Sequence, residues 1–218
     1  MKKIQTIFLA LTLLPGINMA NVVVNGTFDN NFTGWSGIYT AEPGGSAGFP
    51  AIDTGSYYWG NGVSPNSISQ VYELTASDLN TLSNSGINFT MSGDLFGYSS
   101  QNDHSIFTAF FYSGAGGSGS LLGSVALDSA TNDPGTWSAI VIAGNDPNFQ
   151  TVSGALPNLT TSILLNLVSI RVSGVSNDGY ADNLNFSISP SNVPVPPAVW
   201  LFGSGLFGLL GMRRKLVL

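Results

Sequence analysis

Apolar and polar residues alternate along several short stretches of the chain. Leu184, Phe186 and Ile188 are interleaved with Asn183, Asn185 and Ser187. Ile68, Gln70, Tyr72 and Leu74 share one face of a second stretch, and Ile87, Phe89 and Met91 one face of a third. A period of two is that of a β-strand with one face on a core and the other in water. On this pattern strands are predicted over 22–28, 48–52, 67–74, 86–96, 105–113, 120–127, 136–143, 162–173 and 180–188, separated by Gly, Asn, Asp and Pro. The run 162–173 is apolar on both faces and is expected to lie centrally in a sheet. Residues 114–119 read as a hairpin loop, and 77–83 as one or two helical turns with Ser77 as N-cap. Many short strands with regular turn signals predict an all-β fold, a sandwich or barrel, occupying 21–190 as one domain. Phe89, Phe107, Phe111 and Phe186 are assigned to its core.

The two ends break this pattern. Lys2 and Lys3 precede an apolar run over 4–14, Pro15 and Gly16 interrupt it, and Ala20 is small. That is the order of a signal peptide over 1–20. At the other end, Val193, Pro194, Val195, Pro196 and Pro197 cannot join a helix, because each proline lacks an N–H and disfavours the α conformation in its predecessor. An uncharged apolar stretch follows over 198–212 and spans about 22 Å as a helix at 1.5 Å per residue. Arg213, Arg214 and Lys215 then form a basic stop that is expected to stay cytoplasmic. The ends are therefore a signal peptide, a Pro-rich linker over 191–197, a short transmembrane segment over 198–212 and a basic tail over 213–218.

Charge sharpens the picture. Only 8% of the 218 residues are charged. Between the two ends lie all twelve acidic residues and a single basic one, Arg171. Such a surface repels phosphate backbones, which excludes nucleic acid as a partner, and it suits divalent cations or neutral ligands such as sugars. There is no cysteine, so disulfides, thiolate catalysis and Cys-based zinc sites are excluded.

The segment VPVPPAVWLFGSGLFGLLGMRRK resembles the PEP-CTERM sorting tail of Gram-negative bacteria, in a variant that opens V-P-x-P and lacks the Pro-Glu-Pro triplet. The resemblance implies a membrane protease of the exosortase type as partner, cleavage near the prolines, transient anchoring in the inner membrane and export to the cell surface or extracellular matrix. A second resemblance lies at the edges of the domain. VVVNGTFDNNFTGW near its start, SISQVYEL, and DGYADNLNF near its end are similar to strands of carbohydrate-binding-module-like, or galactose-binding-like, jelly rolls. This implies a jelly-roll β-sandwich in which the first and last strands lie side by side and share a structural Ca2+ ion. The matching positions are Asn25, Asp29, Asp182 and Asn183. Alternatively, Asp29 and Asp182 are turn or edge residues.

Tyr57, Tyr58 and Trp59 cluster beside Gly60 and are the candidate sugar platform, since rings present a negative π face to sugar C–H groups. Trp35, Tyr39, Tyr98 and Trp137 are further aromatics. Core packing is the competing role for all of them. Asn177-Asp178-Gly179 reads as a turn, and His104, the only histidine, as a surface turn residue. Only two glutamates exist, Glu42 and Glu73, and neither sits in a catalytic cluster. The sequons at Asn25, Asn31, Asn88 and Asn158 are incidental to an Asn- and Thr-rich domain. The leading reading is an exported, non-catalytic surface or matrix protein with a structural or adhesive domain that binds extracellular polysaccharide weakly. The alternatives are a carbohydrate-binding module with a defined glycan ligand and, as a minor reading, a polysaccharide hydrolase.

Overall fold

The computed structural model describes residues 20–31, 33–43, 55–98, 101–129 and 148–191. Residues 1–19 of the expected signal peptide, the sorting tail from Val193 onward and the strands expected over 48–52 and 136–143 lie outside the described residues. Among those described there are ten strands and one helix: β1 (Ala20–Asn21), β2 (Thr40–Pro43), β3 (Ser56–Trp59), β4 (Asn66–Glu73), α1 (Ala76–Asn84), β5 (Ile87–Phe96), β6 (His104–Gly114), β7 (Ser118–Asp128), β8 (Phe149–Ala155), β9 (Ser162–Ile170) and β10 (Tyr180–Pro190). They form an all-β sandwich. One sheet runs β2-β3-β10-β5-β8, with β1 on β10; the other runs β4-β9-β6-β7. Every pairing is antiparallel.

The alternation read from the sequence sets the layers. β6 buries Ser105, Phe107, Ala109 and Phe111 and turns the residues between them outward. β10 sends Leu184 and Phe186 to the same interior. Phe89 stacks on Phe186 at 5.4 Å and tilts against Phe111 at 5.4 Å. β9, expected to be central, is flanked by β4 and β6.

Two expectations are corrected here. Residues 22–28 are not a regular strand. Val24 receives its hydrogen bonds from a side chain: its N–H donates to Gln70 Oε1 at 2.9 Å, and its carbonyl accepts from Gln70 Nε2 at 3.2 Å. Asn25 and Phe28 then turn to φ of 52° and 55°, outside the β region. The helix is capped two residues earlier than expected. Thr75, not Ser77, is the N-cap; its hydroxyl accepts from Asp78 N at 3.2 Å, and the Asp78 carboxylate accepts from Thr75 N at 2.9 Å. This reciprocal pairing satisfies two otherwise orphan donors. Among the described residues no helix is long and apolar enough to cross a membrane.

Candidate functional site

β3 places aromatics on both sides of its sheet. Tyr58 points into the sandwich and Tyr57 to the outer face, as strand alternation requires. Trp59, on the side of Tyr57, pairs with Tyr180 of β10, which pairs in turn with Phe96 of β5. One cross-strand row, Trp59–Tyr180–Phe96, therefore crosses three strands. Phe96 stacks on Tyr180 at 5.3 Å, and Tyr57 meets both edge-on at 5.5 and 5.7 Å. Each such pair contributes about 0.5–1.5 kcal/mol beyond burial.

Beside this row lie residues 97–98 after β5, residues 101–103 leading into β6, and the connection 171–179 leading into β10. Asp103 ties them together. Its Oδ1 accepts from Val172 N at 2.7 Å and Ser173 N at 3.0 Å, and its Oδ2 from Asp178 N at 3.0 Å. Ser173 Oγ donates to the Gln101 carbonyl at 2.7 Å. The Asn177 amide is drawn inward and donates to the carbonyls of Val63 and Ser169. Gly97 and Gly179 permit the close approach: a Cβ on either would run into the carbonyl of Asp103 or His104 respectively.

The result is an open cleft of about 420 Å³ between the aromatic row and the 171–179 connection. Trp59 and Tyr98, both half-buried, supply ring surface. Gln101, Ser176 and Asp178 supply polar atoms. Tyr180 Oη donates to Asp178 Oδ1 at 3.0 Å. Burial pushes the Asp178 carboxyl above the ordinary carboxylate range; the Tyr180 hydroxyl opposes this, the nearby Asp103 charge adds to it, and the Trp59 indole N–H opposes it. Burial also pushes the Tyr180 hydroxyl up, and the Asp178 charge adds to the shift.

The expected platform is thus corrected. Tyr57 and Tyr58 are each 0% exposed and cannot stack on a ligand. Tyr58 belongs to the core, where its hydroxyl donates to Asn66 Oδ1 at 3.1 Å and lies 3.0 Å from Ser169 Oγ; burial moves it up to about 12. Of the three, Trp59 alone faces the cleft. Trp35 and Tyr39 pack with Phe28 inside the sandwich, and Trp137 lies outside the described residues. Asp178, read from sequence as a turn residue, is a wall of the cleft. Its signal is long-range, through a contact 75 residues away. His104 opens β6, with Nδ1 3.0 Å from the Asn102 carbonyl.

The four residues matched to a cation site fall into two groups. Asn25 braces its own loop: Oδ1 accepts from Asn30 N at 3.1 Å, and Nδ2 donates to the Asn31 carbonyl at 2.8 Å. Asp29 Oδ1 accepts from Ser56 N at 2.8 Å, joining this loop to β3. Asp182 and Asn183 occupy an irregularity in β10, where Asn183 adopts φ of 51°. Sequence reasoning missed their partner, Asp94. It is the direct cross-strand neighbour of Asp182; both are buried, and Asn183 Nδ2 donates to Asp94 Oδ2 at 2.8 Å. The hydrogen bond from Leu184 N to the Gly26 carbonyl, 3.0 Å, lays the 25–29 loop against this irregularity. Among the described residues no three acidic or histidine side chains gather as a ready metal site.

No family model matches the chain, and no curated protein does. Solved structures do match. Family 16 Carbohydrate Binding Module-2 is 16% identical with a TM-score of 0.47, over 76% of this chain and 99% of that one. TmCBM61 in complex with β-1,4-galactotriose is 13% identical with a TM-score of 0.44, over 79% and 99%. A cleaved adhesin domain of Lys-gingipain from Porphyromonas gingivalis is 13% identical with a TM-score of 0.41, over 79% and 98%.

Proposed function

We propose that this protein is an exported, non-catalytic β-sandwich that holds extracellular polysaccharide in the cleft beside Trp59. One observation carries the reading: two partly exposed rings, Trp59 and Tyr98, flank a cleft whose polar atoms come from Gln101, Ser176 and Asp178. Apolar ring surface with a few fixed polar groups is the usual make-up of a small-ligand site. Hydrolysis of a glycosidic bond uses a pair of carboxylates. Here Asp103 is committed to three backbone N–H groups, which leaves Asp178 as a single carboxylate at the cleft among the described residues. A glycan array and an affinity gel run with the full chain test the proposal, alongside turnover assays on any polysaccharide retained. Retention without turnover is expected. Release of reducing sugar would move the protein to the hydrolases, and no retention on any glycan would end the reading.

The chain ends support delivery. The signal-peptide pattern over 1–20 and the V-P-x-P tail, with its basic Arg213, Arg214 and Lys215, fit export followed by cleavage by an exosortase-type protease. Mass spectrometry of released protein should find 198–218 missing; an intact tail contradicts this. A structural Ca2+ ion belongs to the same proposal. Asp94 and Asp182 offer hard oxygen donors, with the Asn183 side chain on Asp94, its backbone N–H on Asp182, and Asp29 on the adjoining loop, and such donors fit this ion. Bound, it would tie the 25–29 loop to β10. Calcium should raise the melting temperature of the wild type but not of Asp182→Asn. No rise in the wild type removes the ion.

A further inference from the structure

We infer that Asp178 is the specificity-determining residue of the cleft: it accepts a hydroxyl from a neutral sugar and turns away glycans that carry sulfate or carboxylate groups. The inference rests on the polysaccharide reading above and concerns the same site.

Three observations carry it. First, Asp178 is the only charged side chain lining the cleft among the described residues, and Asp103 stands directly behind it, its Oδ2 on the Asp178 amide. An ionised carboxylate only accepts hydrogen bonds, so a partner must bring a donor. A sugar hydroxyl does; a sulfate oxygen does not. Second, the compensating cation is turned elsewhere. Arg171 is the only basic residue among those described, and it is exposed, donating from Nη1 to the Val175 carbonyl at 2.7 Å. It braces the back of the cleft wall. Third, Asp178 is held by the Tyr180 hydroxyl on its Oδ1 and shares the cleft lining with Trp59. The carboxylate therefore lines the same cleft as the ring on which a sugar would lie. A hydrogen bond to a charged group contributes about 1.5–3 kcal/mol, and a like charge brought to the same place is opposed in a setting partly shielded from water.

Protonation gives a readout that needs no variant. The other titratable and charged groups on the elements packed around Asp178 are Asp103 before β6, His104 and Tyr112 in β6, Tyr57 and Tyr58 on β3, Asp94 in β5 and Tyr98 after it, Tyr180 and Asp182 on β10, and Arg171 after β9. Sulfate stays charged across the whole range, so a change in discrimination on acidification reports the protein's carboxylates, not the ligand.

The test uses the full chain on an array of neutral hexose and pentose oligosaccharides and the same backbones bearing sulfate, at neutral and mildly acidic pH. Wild-type protein is expected to bind a neutral member at least about tenfold more tightly than its sulfated form, a ratio that shrinks as pH falls. Asp178→Asn, with its folding checked by melting temperature, should lose about tenfold in affinity for the neutral member and show a smaller, pH-independent ratio. If wild type binds a neutral and a sulfated member equally, or Asp178→Asn keeps the wild-type ratio and pH profile, Asp178 is not the selector although the cleft still binds glycan. If wild type binds no member of either series, the polysaccharide reading fails and takes this inference with it.

Discussion

Tyr57 and Tyr58 are neighbours in β3 and serve two different aromatic clusters, one on each side of the sheet. Tyr58 faces inward, among Phe28 and Tyr39 at 5.7 Å from each, in a core completed by the Phe89, Phe111 and Phe186 group. Tyr57 faces outward, against Phe96 and Tyr180. The inner cluster is closed by the second sheet. Among the described residues no second sheet covers the outer cluster, and its rim, Trp59 and Tyr98, stays partly open beside a carboxylate. Aromatic content alone does not distinguish the two. The difference is that the outer cluster ends at an open edge with polar groups fixed around it, whereas the inner one ends on more hydrocarbon.

The comparison can be tested by removing rings and hydroxyls on each side. The largest effect is expected inside. Phe186→Ala empties a fully buried position that touches two other rings and should cost about 3–5 kcal/mol in chemical denaturation. A cost near zero would mean that the sheets do not pack as described. Tyr58→Phe should cost about 1–3 kcal/mol, because the buried Asn66 Oδ1 and Ser169 Oγ lose their shared hydroxyl. Outside, Tyr180→Phe should cost about 1 kcal/mol and raise the Asp178 pKa further, since the hydroxyl that favours the ionised form is gone.

The smallest effect is a pH slope. Burial raises the folded-state pKa of Asp178 above its unfolded value. The folded chain then binds more protons than the unfolded one in the interval between the two values, so this group's contribution to stability falls as pH rises through that interval. Asp178→Asn should remove that part of the slope in melting temperature, which lies above the ordinary aspartate range. An unchanged slope would show that Asp178 titrates as it does in the unfolded chain.

Strands with one wet face were legible in the sequence: β4, β5, β6 and β10 show period-two burial close to the ranges read from alternation. β3 was not, because both of its faces are covered and its four residues carry no polar beat. For the same reason Tyr57, Tyr58 and Trp59 read as one platform when only Trp59 is reachable. β8 was missed between segments with weak signals, and the stretch 22–28 was over-read because nothing local reveals that Gln70, 46 residues away, takes its hydrogen bonds. The carboxylates show the same limit. Asp182 was visible from its resemblance to a family motif. Its neighbour Asp94 and the pair Asp103–Asp178 exist only through strand register and loop contacts across most of the domain.

The most direct measurement is polysaccharide retention by Trp59→Ala beside its stability. The account predicts a loss of stability less than half that of Phe186→Ala, with retention on the affinity gel abolished. Retention at the wild-type level in a folded Trp59→Ala protein would contradict it, and the outer aromatic cluster would then be packing, like the inner one.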